Sequence, residues 1–99
     1  MILKNQWKWG ETDMVTKEVM VMNSTGLHAR PATLLVKRAS TYKSDVSIEF
    51  NWKKANIKSL IGVLSLGVIK GSAIRIIASG EDEEKAAEEL SELINSLEE

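Results

Sequence analysis

Apolar side chains along this chain follow two spacings, and the switches between them mark most of its elements. Over residues 15–23, Val19 and Val21 alternate with Glu18, Met20 and Met22, the period of two that predicts a strand with one strongly apolar face. Ser24-Thr25-Gly26 then turns the chain. From Ala29 the spacing changes: Ala32, Leu35, Val36 and Ala39 recur at i, i+3, i+4 and i+7, the face of a helix, and Pro31 is tolerated in a first turn. Val46, Ile48 and Phe50 alternate with Ser47 and Glu49, and Ala55 and Ile57 follow beyond Asn51-Trp52, so this pair reads as a hairpin. Residues 60–66 form a short apolar stretch with Ser59 placed to cap a short helix and Gly67 to stop it. Ile74, Ile76 and Ala78 supply a last strand after Gly71-Ser72. The tail opens with Glu81, Asp82, Glu83 and Glu84, which favour a helix N-terminus, and Ala86, Ala87, Leu90, Leu93, Ile94 and Leu97 form one stripe.

The predicted order is βαββαβα. Four antiparallel strands need one apolar face covered, and two long amphipathic helices with one short helix supply a single covering layer. The expected fold class is therefore α+β, an open-faced two-layer sandwich. At 99 residues, 43% apolar and 27% charged, the chain fits one domain, without internal repeat, linker or low-complexity segment.

Charge and composition narrow the chemistry. A net charge of −1, from 13 basic and 14 acidic residues, offers no electrostatic grip on a nucleic-acid backbone, so no direct nucleic-acid partner is expected. The absence of cysteine excludes disulfides and thiolate chemistry, and a single histidine speaks against a zinc site. No stretch approaches the roughly 20 apolar residues of a membrane span, and residues 1–13 lack the apolar run of a secretory signal. A soluble, cytoplasmic protein without membrane insertion is expected. No cofactor is called for, and no nucleotide-binding Gly-Lys-Ser/Thr loop points to an autonomous enzyme.

The only histidine, His28, falls where the first strand has ended and the first helix begins. An imidazole at that place meets unpaired N–H groups and the positive end of the helix dipole. Those groups receive negative charge once a phosphoryl group is attached to the ring. Arg30, two residues on, can add charge-assisted hydrogen bonds during transfer. A lone histidine at a helix start is more often a cap or a surface residue, and a lone arginine a solvated charge, so this feature needs support from the rest of the chain.

That support comes from two motifs. Gly26-Leu27-His28-Ala29-Arg30-Pro31-Ala32 and, further on, Asn56-Ile57-Lys58-Ser59-Leu60-Ile61-Gly62-Val63-Leu64-Ser65-Leu66-Gly67 closely resemble the HPr family, the histidine-containing phosphocarrier proteins of the bacterial sugar phosphotransferase system. The similarity spans residues 14 to about 97. The resemblance implies that enzyme I, charged by phosphoenolpyruvate, phosphorylates Nδ1 of His28, and that the group passes to enzyme IIA domains. The second motif is similar to the Gram-positive version of the family. This implies that an ATP-dependent HPr kinase/phosphorylase modifies Ser59 as a regulatory switch, and that the serine-phosphorylated form partners the catabolite control protein CcpA.

Ser59 is expected to serve also as a plain N-cap, a role worth about 1 kcal/mol. A phosphate there suits the helix dipole, so the fold should change little while the surface gains roughly 1.5 to 2 negative charges. If Leu60, Ile61 and Leu64 form an exposed patch near His28, that charge disturbs docking of enzyme I, and Thr33 borders the same surface. The rival reading is a regulatory binding module phosphorylated only at serine. Related modules of that kind lack the histidine, which is present here. A monomer is the natural expectation for a shuttle.

Two departures from the family stand out. Residues 1–13 form an extension of unknown role ahead of the HPr-like domain at 14–99, and one speculative reading of its Trp7 and Trp9 is that the arm folds back onto the hairpin. Trp52 stands where many relatives carry glycine. A bulky residue at positive φ is strained, so a turn of another type is expected.

Overall fold

A computed structural model describes residues 14–98. The elements are β1 (Val15–Met20), α1 (Ala29–Ala39), β2 (Asp45–Phe50), β3 (Lys53–Asn56), α2 (Leu60–Ser65), β4 (Ala73–Ser79) and α3 (Glu83–Asn95). The expectation for Trp7 and Trp9 lies outside the described residues.

All strand pairs are antiparallel, in the order β1-β4-β2-β3. β4 is thus the centre of the sheet although it forms late in the chain, and its inward residues Ile74, Ile76 and Ala78 stand opposite Val19, Lys17 and Val15 on one side. On the other side Ile76 faces Ile48 and Ala78 faces Val46. α3 lies across β1, β4 and β2, α1 packs beside α3, and α2 closes the layer against α1 and β3. The core is the continuous set of Val19, Val21, Leu35, Val46, Ile48, Ile57, Val63, Ile74, Ile76, Leu90 and Ile94, joined by the small Ala32, Ala39, Ala78, Ala86 and Ala87. Those alanines let the helices approach the sheet closely. The other face of the sheet is open and carries a row of alternating charge, Glu18, Arg75, Glu49 and Lys54, one residue from each strand. Arg75 lies 3.4 Å from both Glu18 and Glu49.

The expected order and layers hold, with shifts at the ends. The β1 ladder stops at Met20, yet Val21 continues the strand direction by donating its N–H to the carbonyl of Ser72 and accepting from Gly71. α3 starts at Glu83 and not at Glu81, because the Asp82 carboxylate is engaged elsewhere. It accepts from the backbone N–H of Lys43 at 3.0 Å and of Ser44 at 2.9 Å, and from the Ser44 hydroxyl. The Asp82 N–H in turn donates to the Ser44 hydroxyl at 3.1 Å. Gly80 permits this junction: its φ is 148°, and a Cβ there would come within 2.7 Å of the Ser44 backbone.

The hairpin turn corrects the expectation drawn from Trp52. The turn is a two-residue loop with both central residues left-handed, Asn51 at φ 56° and Trp52 at φ 68°, closed by the Phe50–Lys53 pair. The two-residue connection and the right-handed twist of β2 and β3 demand this geometry, so the strand pairing overrides the preference of Trp52. Trp52 is 96% exposed and gains no packing in return. Trp52→Gly removes a steric cost of about 1–2 kcal/mol and adds unfolded-state entropy worth about 0.5–1 kcal/mol. The expected outcome is a modest gain in stability, read as a higher urea midpoint.

The Ser44 hydroxyl, followed by the backbone N–H of Lys43, holds the Asp82 carboxyl down to about 2. A carboxylate held below its unfolded value stabilises the fold above that value and loses this contribution as pH falls through the folded one. Asp82→Asn therefore lowers the urea midpoint at pH 7, and the difference from the parent chain shrinks as pH falls from about 4 towards about 2.

Candidate functional site

His28 is the N-cap of α1, with extended backbone angles of φ −81° and ψ −173°. Its carbonyl accepts from Ala32 N–H at 2.8 Å, but its side chain makes no capping hydrogen bond and is exposed. The ring is therefore offered to solvent beside the first-turn N–H groups of the helix, and Pro31, without an N–H, occupies the position where none is needed. Arg30 is exposed in the same turn. Thr33 is exposed one turn further, its hydroxyl donating to the Ala29 carbonyl at 2.7 Å.

The loop ahead of His28 is held from two directions. Gly26 adopts φ 65° and lies so close to the α2–β4 connection that a Cβ would stand 2.4 Å from the Val68 carbonyl oxygen. Leu27, buried beside it, donates its N–H to that same oxygen at 3.0 Å. From the other side, Asn23 Nδ2 donates to the Gly26 carbonyl at 2.7 Å. His28 is consequently placed by backbone contacts, and its own side chain is left for chemistry.

Ser59 caps α2 as expected: its hydroxyl accepts from Gly62 N–H at 3.1 Å. Glycine at 62 leaves room for that cap, since a Cβ there would lie 3.2 Å from the hydroxyl. Beyond the cap the helix is two-sided. Val63 and Leu66 are buried, whereas Leu60 is 38%, Ile61 81% and Leu64 39% exposed.

Two hydrogen bonds fix how these features relate. Leu27 at the start of α1 bonds to Val68, after α2, while Lys58, before α2, donates its ammonium to the carbonyl of Tyr42, after α1, at 2.9 Å. The two helical segments therefore run in opposite directions, and His28 and Ser59 belong to opposite ends of the pair. An 11-residue helix such as α1 is about 16 Å long.

Two exposed apolar residues, one after α2 and one on α1, were missed in the sequence. Ile69 is 66% exposed and directly follows the carbonyl that holds Leu27. Leu34 is exposed on α1 and, with Arg30 and Pro31, lines a groove completed by Leu93, Ser96, Leu97 and Glu98 of the C-terminal end. Leu34 had a legible signal, being an apolar residue off the buried stripe of α1. Ile69 had none, because its exposure depends on the turn formed with Ser72. Among the described residues no group of side chains suited to holding a metal ion occurs, and no helix is long and apolar enough to cross a membrane.

An open-faced antiparallel sheet under three helices, with an exposed histidine at the N-cap position of the first, is the architecture of a small phosphocarrier. Residues 15–96 match the family described as PTS HPr component phosphorylation site. The chain is similar to the phosphocarrier protein HPr of Bacillus anthracis, with 42% identity, a TM-score of 0.78, and coverage of 81% of this chain and 95% of that one. Against HPr of Thermoanaerobacter tengcongensis the identity is 46% and the TM-score 0.76, covering 85% and 92% of the two chains. The Bacillus subtilis catabolite repression protein Crh, solved as an intertwined dimer with a swapped domain, shares 44% identity at a TM-score of 0.68, covering 82% and 93%. The chain belongs to the HPr family, whose members are phosphocarriers working with enzymes of the phosphotransferase system and are not themselves enzymes.

Proposed function

We propose that this protein accepts a phosphoryl group from enzyme I on Nδ1 of His28 and delivers it to enzyme IIA domains. The observation that carries this reading is the exposed imidazole at the N-cap of α1, whose side chain makes no capping hydrogen bond. In the accepting step the lone pair of Nδ1 attacks phosphorus, and the bond from phosphorus to the partner's leaving atom breaks as the new N–P bond forms. Delivery reverses the step, with the imidazole as leaving group. The first-turn N–H groups of α1 and the Arg30 guanidinium stabilise the added charge. The partner completes the site, since phosphoryl transfer is chiefly positioning and electrostatics. Cytoplasmic location and a monomeric shuttle form part of the proposal.

Ser59 is the proposed regulatory position, modified by HPr kinase/phosphorylase. Leu60, Ile61 and Leu64, with Thr33 at the border, are the proposed docking surface. Added charge at the head of α2 makes that apolar surface costlier to desolvate when a partner docks. The second reading, a serine-phosphorylated corepressor partnering CcpA, is favoured by the likeness to Crh. His28 distinguishes the two, because the corepressor reading has no use for an exposed nucleophile there.

The test is incubation with enzyme I, Mg²⁺ and phosphoenolpyruvate, followed by intact mass. One acid-labile phosphoryl group is expected on the parent chain and none on His28→Ala. No incorporation with a competent enzyme I moves the assignment to the serine-regulated module. In the same assay Ser59→Asp is expected to accept phosphate more slowly, although aspartate carries less charge than phosphoserine; an unchanged rate removes the proposed link between Ser59 and docking.

A further inference from the structure

A hollow of about 340 Å³ lies where the open face of the sheet meets the β2–β3 hairpin, and Glu18, Glu49, Trp52, Ala73 and Arg75 are among the residues that line it. Ala73, opposite Met20 at the start of β4, presents only a methyl group there, which leaves the space open. Trp52 supplies the aromatic side. It is held at φ 68° and is 96% exposed. A residue kept in a costly backbone conformation at the rim of a hollow points to a ligand.

The charges select the class of ligand. Glu18 and Glu49 stand on either side of Arg75, so acceptor, donor and acceptor follow one another across the sheet. An anion would meet two carboxylates, and a cation would meet the guanidinium between them. A purely apolar molecule would desolvate all three groups without replacing their hydrogen bonds. A neutral molecule rich in hydroxyls avoids each penalty. Arg75 reaches one oxygen of each carboxylate at 3.4 Å, the long end of a hydrogen bond, and both carboxylates keep lone pairs that can accept from hydroxyls. We propose that this hollow binds a neutral pyranose sugar, its ring face on the Trp52 indole and its rim hydroxyls held by Glu18, Arg75 and Glu49. A pyranose with equatorial hydroxyls has the matching form: C–H bonds on its faces for the indole, and donors and acceptors around its edge. The site uses neither His28 nor Ser59, so it does not rest on the phosphocarrier reading.

The test is a titration of the full chain with methyl β-D-glucopyranoside, followed in proton–nitrogen correlation spectra, with sorbitol as the open-chain polyol that lacks a ring face. The Trp52 indole N–H, identified by its loss in Trp52→Ala, and the Ala73 and Arg75 amides are expected to shift together and saturate with a dissociation constant on the order of millimolar, the range for a small ligand on an open surface. Binding is expected to weaken at least about tenfold in Trp52→Ala and in Ala73→Leu, which fills the hollow, and to stay unchanged in His28→Ala. Unaltered β4 amide positions away from residue 73 show that both hollow variants are folded. No saturable shift up to about 100 mM sugar overturns the proposal. Equal shifts with sorbitol, or shifts that survive Trp52→Ala, overturn it as well.

Discussion

The single carbonyl of Val68 carries the organisation of this molecule. It accepts the N–H of Leu27 and lies against Gly26, so the loop before α1 and the segment after α2 meet at one oxygen atom. A side chain at position 26 would displace that oxygen, and the left-handed φ of 65° would be strained for any other residue. Because this contact is between backbones, the imidazole two residues on is relieved of any structural duty. A carrier needs that freedom. A histidine engaged in capping or buried for packing would have to break an interaction each time it accepted a phosphoryl group.

The same economy explains the spacing of His28 and Ser59. α1 and α2 are tied in opposite directions, by Leu27 to Val68 at one end and by Lys58 to Tyr42 at the other. His28 and Ser59 each stand at the N-cap of their own helix, where backbone N–H groups tolerate negative charge. Between them lies a strip of exposed Leu60, Ile61, Leu64 and Ile69 that a monomeric core does not use. In the proposed function, two chemically separate phosphorylations bear on one partner across this strip.

Stability is invested away from this surface. The buried Tyr42 hydroxyl donates to Glu89, which also lies 3.8 Å from Arg38, and burial with that carboxylate beside it pushes the phenol up to about 12. Asp82 ties the start of α3 to the loop before β2. Both links join the C-terminal helix to the end of the molecule remote from His28. The loop that presents the imidazole therefore rests on a scaffold closed elsewhere.

Periodicity alone sufficed for the elements, since alternation and the helical stripe record which side chains must leave water. The placement of His28, Arg30 and Ser59 at helix starts was legible in local residues, a proline in a first turn and a serine before an apolar run, whereas a phosphoryl role for them came only from the resemblance to the family. The pairing of β4 between β1 and β2 was not written locally, nor was the opposed direction of α1 and α2, because both depend on contacts between distant segments. Asn51-Trp52 marks the boundary most sharply. Local preference argued against a left-handed tryptophan, and the twist of two paired strands imposed it, because the ladder around the turn outweighs one strained residue.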